Sequence, residues 1–217
     1  MKIIQVSKRL NNDELGIIGN DTFISLPKHF KENVFDWRNI FFNQEFVYFV
    51  NKRDINEKIK LRYYENESKR WVKRIREFFQ INNLSAGDEV SLEKRIQDDG
   101  EVELFIDFKR YEGVVFQASS SFYDKENDMS AEGFECLKGD PFSFNEKYGN
   151  HISIFCKGLF KRTSRENSPF IKCFEINVDG EDIFDRYDPN DLIGIQVINN
   201  KIIVGLINRG SFCEMEV

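Results

Sequence analysis

The sequence predicts a mainly β protein, built as a barrel or a sandwich, and three observations carry that prediction. Short apolar runs of about four to eight residues, divided by polar turns, dominate the chain. One run, Glu101–Phe108, sets Val102, Leu104, Ile106 and Phe108 against Glu101, Glu103, Phe105 and Asp107, the alternation of a strand with one wetter face. Only two segments carry helix signals. Four prolines and thirteen glycines argue against a disordered or linker-dominated chain.

In chain order, the strands of the first half are Ile3–Val6, Phe23–Leu26, Phe46–Val50, Ile59–Tyr64, Val90–Leu92 and Glu101–Phe108. Asp98-Asp99-Gly100 before the last of them is a hairpin turn, because Asp-Gly supplies the positive φ that a tight turn needs. Pro27 begins a short helix over Lys28–Asn33, where its fixed φ suits a first turn. Ile75, Phe78 and Phe79 form one apolar stripe of a second helix over Ile75–Asn83. Trp71 and Val72 extend that spacing, so Lys69–Arg74 reads equally as strand or helix. The second half repeats the strand texture in Val114–Gln117, Ile152–Cys156, Phe170–Val178, Leu192–Val197 and Lys201–Ile207. Asn199-Asn200 turns the last two into a hairpin. Ala118–Tyr148 has weak periodicity and reads as a long loop or excursion.

The length allows one large or two small domains. No run approaches the ~18 apolar residues of a membrane span, and MKIIQVSKRL lacks the apolar core of a signal peptide. The four cysteines, Cys136, Cys156, Cys173 and Cys213, form no CxxC pair, and neither His29 nor His151 is spaced as their zinc partner. They read as reduced thiols of a cytoplasmic protein. A net charge of −6 argues against nucleic acid until it is divided by region. Residues 1–110 carry 20 Lys and Arg against 19 Asp and Glu, and residues 111–217 carry 11 against 18. Within Lys52–Arg76 ten basic residues face four acidic ones. Nucleic acid is therefore expected at the first half, with the acidic half turned away or meeting a protein. The basic run Lys161–Arg165 is the local exception.

Catalytic motifs are sparse. No GxxxxGK[ST] phosphate loop, GxSxG elbow or HExxH helix occurs, and no cofactor is expected. Asp99, Asp107 and Lys109 are the one nuclease-like set, two carboxylates and a lysine that could hold magnesium beside a phosphate. Glu181-Asp182 with Asp185, Asp188 and Asp191 lacks the Gly and terminal Glu of a calcium loop. Binding residues are better represented. Ser7, Lys8, Arg9, Asn11 and Asn12 mix cations with amides after the first strand, and Arg and Asn are the side chains that read guanine and adenine edges. Asn66, Ser68, Lys69, Arg70, Trp71, Lys73 and Arg74 form a second polar, cationic segment around an aromatic, suited to phosphate and base or sugar contacts. The alternative is that Trp71 belongs to the core and the cations to a solvated rim.

The order of these elements resembles the B3-like DNA-binding pseudobarrel of plant transcription factors and of EcoRII- and BfiI-type restriction enzyme specificity domains. Ser7–Asp13 resembles the exit from that family's first strand, Phe23–Phe30 its strand, Pro-Lys, helix element, and Ile75–Glu93 its second helix followed by Leu-x-x-Gly-Asp-x-Val. Gly87-Asp88 is the most specific piece, and the match covers about residues 1–110. Where the family carries glycines before the second helix this chain has Lys73-Arg74, and Ile75 stands for its tryptophan. The resemblance implies an open pseudobarrel of about seven strands with two short helices over 1–110; residues 111–217 have no counterpart in the plant-type domain and read as additional β structure, an acidic extension or a second small domain. It implies a grip on the major groove of double-stranded DNA between an N-arm within Ser7–Asp21, Asn20 included, and a C-arm around Glu65–Arg74, with Lys52 and Arg53 as phosphate contacts. It further implies a bacterial restriction system, similar to the N-terminal specificity domain of a LlaJI-type, McrBC-like subunit. In such a system chemistry is supplied by a downstream GTPase or ATPase domain and a separate nuclease subunit, without membrane partners. Two rivals remain: a magnesium nuclease on Asp99, Asp107 and Lys109, and a β-rich protein-interaction module using the acidic half.

Overall fold

The computed structural model describes residues 1–17, 20–26, 37–41, 44–66, 70–124, 129–149, 152–160, 170–178, 181–182, 187, 191–207 and 211–216. The fold is mainly β. The chain divides into two compact units, Met1–Tyr111 together with Arg209–Val217, and Glu112–Asn208. Among the described residues no helix is long and apolar enough to cross a membrane.

The first unit contains β1 (Lys2–Arg9), β2 (Phe23–Ser25), α1 (Trp37–Ile40), β3 (Val47–Asn51), β4 (Asp54–Glu65), β5 (Arg70–Lys73), α2 (Arg76–Ile81), β6 (Glu89–Ile96) and β7 (Val102–Lys109). The second contains β8 (Val114–Asp124), β9 (Met129–Lys138), α3 (Pro141–Tyr148), β10 (Ile152–Phe160), β11 (Phe170–Val178), β12 (Glu181–Asp182), β13 (Leu192–Ile198) and β14 (Lys201–Leu206). The last strand, β15 (Ser211–Glu216), returns to the first unit and pairs antiparallel with β1, from Lys2↔Glu216 to Ser7↔Ser211.

The sheet of the first unit runs β15-β1-β6-β7-β3-β4-β5-β2, an open path consistent with a β pseudobarrel. Its neighbours are antiparallel apart from the parallel pair β3–β7. The strand period of two places the core. Val47 and Phe49 of β3, Ile59 and Leu61 of β4, Val72 of β5 and Ile24 of β2 point inward with Leu92 and Ile106, and Phe78 and Phe79 of α2 join them. Tyr48, Lys58 and Lys60 alternate with those residues and are exposed.

Several boundaries differ from the sequence reading, each for a local reason. β1 runs on through Ser7, Lys8 and Arg9, because β6 offers partners as far as Arg9↔Glu89. β4 begins five residues earlier than its apolar run, at Asp54, since Asn51 Oδ1 accepts from Arg53 N (3.0 Å) and closes a tight turn over Lys52-Arg53. Arg70–Lys73 is strand, and α2 starts only after it. Ala118–Tyr148 is not a loop. β8 and β9 pair through it, and Asp140 caps α3 by accepting from Phe142 N (3.0 Å) and Ser143 Oγ (2.7 Å) ahead of Pro141. The expected helix over Lys28–Asn33 and the basic run Lys161–Arg165 lie outside the described residues.

The sheet of the second unit runs β10-β11-β9-β8-β13-β14, with β12 beside β11. Val114, Phe116, Ala118, Ile193 and Ile195 form its core. Asn199 and Asn200, at φ 50 and 60, make the β13–β14 hairpin that the Asn-Asn pair predicts. Cys136 is a free thiol, and burial pushes its pKa up to about 11.

Candidate nucleic-acid interface

The exit from β1 is fixed by the Gly87-Asp88 turn. Gly87, at φ 84, donates its N–H to Leu10 O (2.8 Å), and Leu10 N donates to Asp88 O (2.9 Å). The Asp88 carboxylate is fully buried and accepts from Ser85 N (2.9 Å), Ser85 Oγ (3.1 Å) and Tyr111 N (2.8 Å). One turn thereby joins the end of β1, the start of β6 and Tyr111, the second residue after β7.

Beyond Leu10 the chain makes a short turn with reciprocal caps. Asn11 Oδ1 accepts from Glu14 N (2.9 Å) while Glu14 Oε2 accepts from Asn11 N (3.1 Å). Glu14 is 1% exposed, and its Oε1 also takes Ser25 N (2.9 Å) and Ser25 Oγ (2.5 Å), with Lys8 Nζ at 3.6 Å. A buried carboxylate is tolerated only when satisfied in this way. Glu14 consequently staples the turn to β2.

The residues chosen from sequence fall into three groups. The first is committed within the fold. Ser7 and Asn12 are buried. Lys8 faces Glu14, and Arg9 donates to Gly87 O (2.9 Å), pairs with Glu89 (3.3 Å) and lies over the Tyr111 ring at 5.4 Å. The Tyr111 hydroxyl is itself pushed up to about 12 by burial. Lys52 pairs with Glu93, and Arg53 pairs with Asp107 (3.0 Å) and stacks 3.9 Å over Phe108. These two cations sit at the β3–β4 turn, separated from Asn66 by the twelve residues of β4, roughly 40 Å along the strand.

The second group is brought together. Trp71 does not join the core, because Val72 takes the inward position of β5 and leaves Trp71 and Lys73 on the outer face. A cavity of about 300 Å³ is lined by Asn11, Asp13 and Glu14 of the turn, by Ser25 of β2 and by Arg70 and Trp71 of β5, Ser25 and Trp71 being register partners. Arg70 Nε pairs with Glu65 Oε1 at 3.2 Å. A second cavity, about 410 Å³, is lined by Asp21, Thr22, Tyr64, Lys73, Arg74 and Arg76. Lys73 Nζ stands 2.8 Å from Asp21, whose carboxyl is held below its ordinary range by the hydrogen bond and charge of Lys73. Exposed Asn20, at φ 60, offers its carbonyl oxygen to Arg76. Arg74 is exposed at φ 70, a glycine-type backbone conformation, at the position where the resembled family carries glycines.

Of the remaining residues, Asn66 is exposed, and Ser68 and Lys69 lie outside the described residues. Sequence reading passed over Glu14, Ser25, Tyr64 and Arg76. The Asn11-x-x-Glu14 spacing of a capping box was the available signal for Glu14.

The nuclease-like set is dispersed. Asp99 caps the β6–β7 turn through Glu101 N (3.0 Å), whereas Asp107 lies five residues beyond the first residue of β7, roughly 17 Å along the strand, and is paired with Arg53. One ion cannot bridge both. Among the described residues no group of three or more His, Cys, Asp or Glu is placed to hold a metal ion. Compared with known proteins, the chain matches no family model and no curated protein.

Proposed function

We propose that the first unit is a B3-like, site-specific double-stranded DNA-binding module, the target-recognition part of a bacterial restriction system working in the cytoplasm. The observation that carries this reading is the shared cavity. Asn11 and Arg70-Trp71, some sixty residues apart in sequence, meet around one opening, and Asp21 meets Lys73–Arg76 around the next. A polar turn after β1 meeting the outer face of β5 suits a groove of duplex DNA, with Arg and Asn able to read base edges and Lys to position the backbone. The position of α2 between β5 and the Gly87-Asp88 turn supports the reading, since the resembled second helix precedes its Gly-Asp turn. Cleavage and nucleotide hydrolysis then belong to other domains or subunits.

Affinity for a mixed-sequence 30-bp duplex tests the reading. With six or more phosphate contacts it should fall about a thousandfold or more between 50 and 200 mM salt. A protein-interaction module predicts no salt-sensitive DNA affinity at all, and that result would sink the proposal.

A further inference from the structure

The outer face of the sheet carries a row of cations that the sequence reading did not assign. Lys58, Lys60, Arg62 and Tyr64 occupy alternate positions of β4, opposite in phase to buried Ile59 and Leu61. Side chains two apart on a strand stand about 6.8 Å from one another, a step comparable with successive phosphates along one DNA strand. The neighbouring strands supply rings to the same face. Lys60 lies opposite Tyr48, which is 56% exposed, and Tyr64 lies opposite Trp71.

Phe46 is the pivot. Lys60 Nζ sits 3.9 Å from its ring centroid, the Arg74 guanidinium 5.5 Å and that of Arg62 5.8 Å. Arg62 also lies 4.7 Å from the Tyr64 ring and Lys73 5.4 Å. The rings hold long, mobile cations in defined places, which lowers the ordering cost of meeting an anion. Gathering three cations about one ring is also repulsive, and an anion relieves it. Among the described residues two carboxylates, Glu45 and Asp21, pair with cations of this face. Arg62 pairs with Glu45 (3.1 Å) and Lys73 with Asp21, both exposed pairs of the weak, exchangeable kind, while Lys58, Lys60 and Arg74 are exposed and make no ion pair among the described residues. Arg74 additionally keeps a left-handed backbone, at φ 70, that glycine would adopt without strain.

The geometry points to a phosphate rail: Lys58, Lys60, Arg62 and Arg74 bind the backbone of duplex DNA flanking the site held by the two loops. This deepens the proposed DNA-binding function and rests on it. The rail adds affinity without adding sequence preference.

The test compares wild type with Lys58→Gln/Lys60→Gln/Arg62→Gln and, separately, with Arg74→Gly, by fluorescence anisotropy on a mixed-sequence 30-bp duplex and a 30-nucleotide single strand across salt. Arg74→Gly fits the backbone at φ 70, so its folding is secure. The triple variant should lose about 10- to 100-fold affinity for the duplex at 0.1 M salt and flatten the log–log salt slope by two to three, and Arg74→Gly should flatten it by about one. An unchanged slope in both variants, while wild type binds the duplex, overturns the rail and leaves the loop reading standing. Tighter binding of the single strand, lost in the triple variant, assigns the rail to unpaired nucleic acid and overturns it as stated. No duplex binding by wild type overturns both readings together.

Discussion

Asp88→Ala should lower the stability of the first unit by about 3 kcal/mol. The carboxylate is fully buried and takes two backbone N–H groups and one hydroxyl, from Ser85 and Tyr111. Alanine leaves those donors without an acceptor in a dry site, at about 1–3 kcal/mol each before any relaxation. Asp88→Asn keeps one acceptor oxygen and should lose roughly half as much. The lesion also frees the β1 exit, since Leu10 is tied to the same turn in both directions. Urea unfolding measures the difference, and a loss below about 1 kcal/mol would mean that water or relaxation replaces the carboxylate.

Trp71→Ala and Arg70→Ala carry the largest expected effect on binding. Trp71 lies outside the core beside the cavity shared with Asn11, so its removal should weaken duplex binding by about 1–3 kcal/mol with little change in unfolding. Arg70→Ala should lose a similar amount. A base-reading Arg70 relaxes specificity at one position, whereas a phosphate contact weakens all sequences equally. Arg9→Ala is the contrasting case. Its guanidinium is held by Gly87, Glu89 and Tyr111, so the expected loss is about 1–2 kcal/mol of stability and not a change in sequence preference. Electrophoretic mobility shifts beside thermal unfolding separate these outcomes. A Trp71→Ala/Arg70→Ala protein that binds duplex as wild type does would overturn the two-loop site.

The sheet was legible wherever alternation was strong, as in Glu101–Phe108, or wherever turn chemistry was explicit, as in Asp98-Asp99-Gly100 and Asn199-Asn200. It was illegible where a partner distant in sequence decides the outcome. Nothing in SFCEME announces a strand until β1 offers its edge, and Ala118-Ser119 alternates too weakly to be recognised before β9 pairs with it. For the candidate site, the structure brings Asn11, Arg70 and Trp71 around one cavity and commits several of the other selected residues within the fold. Lys8, Arg9, Lys52 and Arg53 have the composition of a binding segment, but their heads are consumed by Glu14, Glu89, Glu93 and Asp107. Composition records how many cations a segment has and not which carboxylates reach them. Conversely, Lys60 and Arg62 were hidden within Ile59–Tyr64, a run read for its apolar residues, and Lys58 lay just before it, although their period of two placed all three on one face.

A binding selection from random duplexes at moderate salt tests the central claim most directly. The two-loop account predicts enrichment of one short motif in double-stranded form, reduced by Trp71→Ala/Arg70→Ala. Recovery of unenriched sequence, or of single strands in preference to duplex, would contradict it.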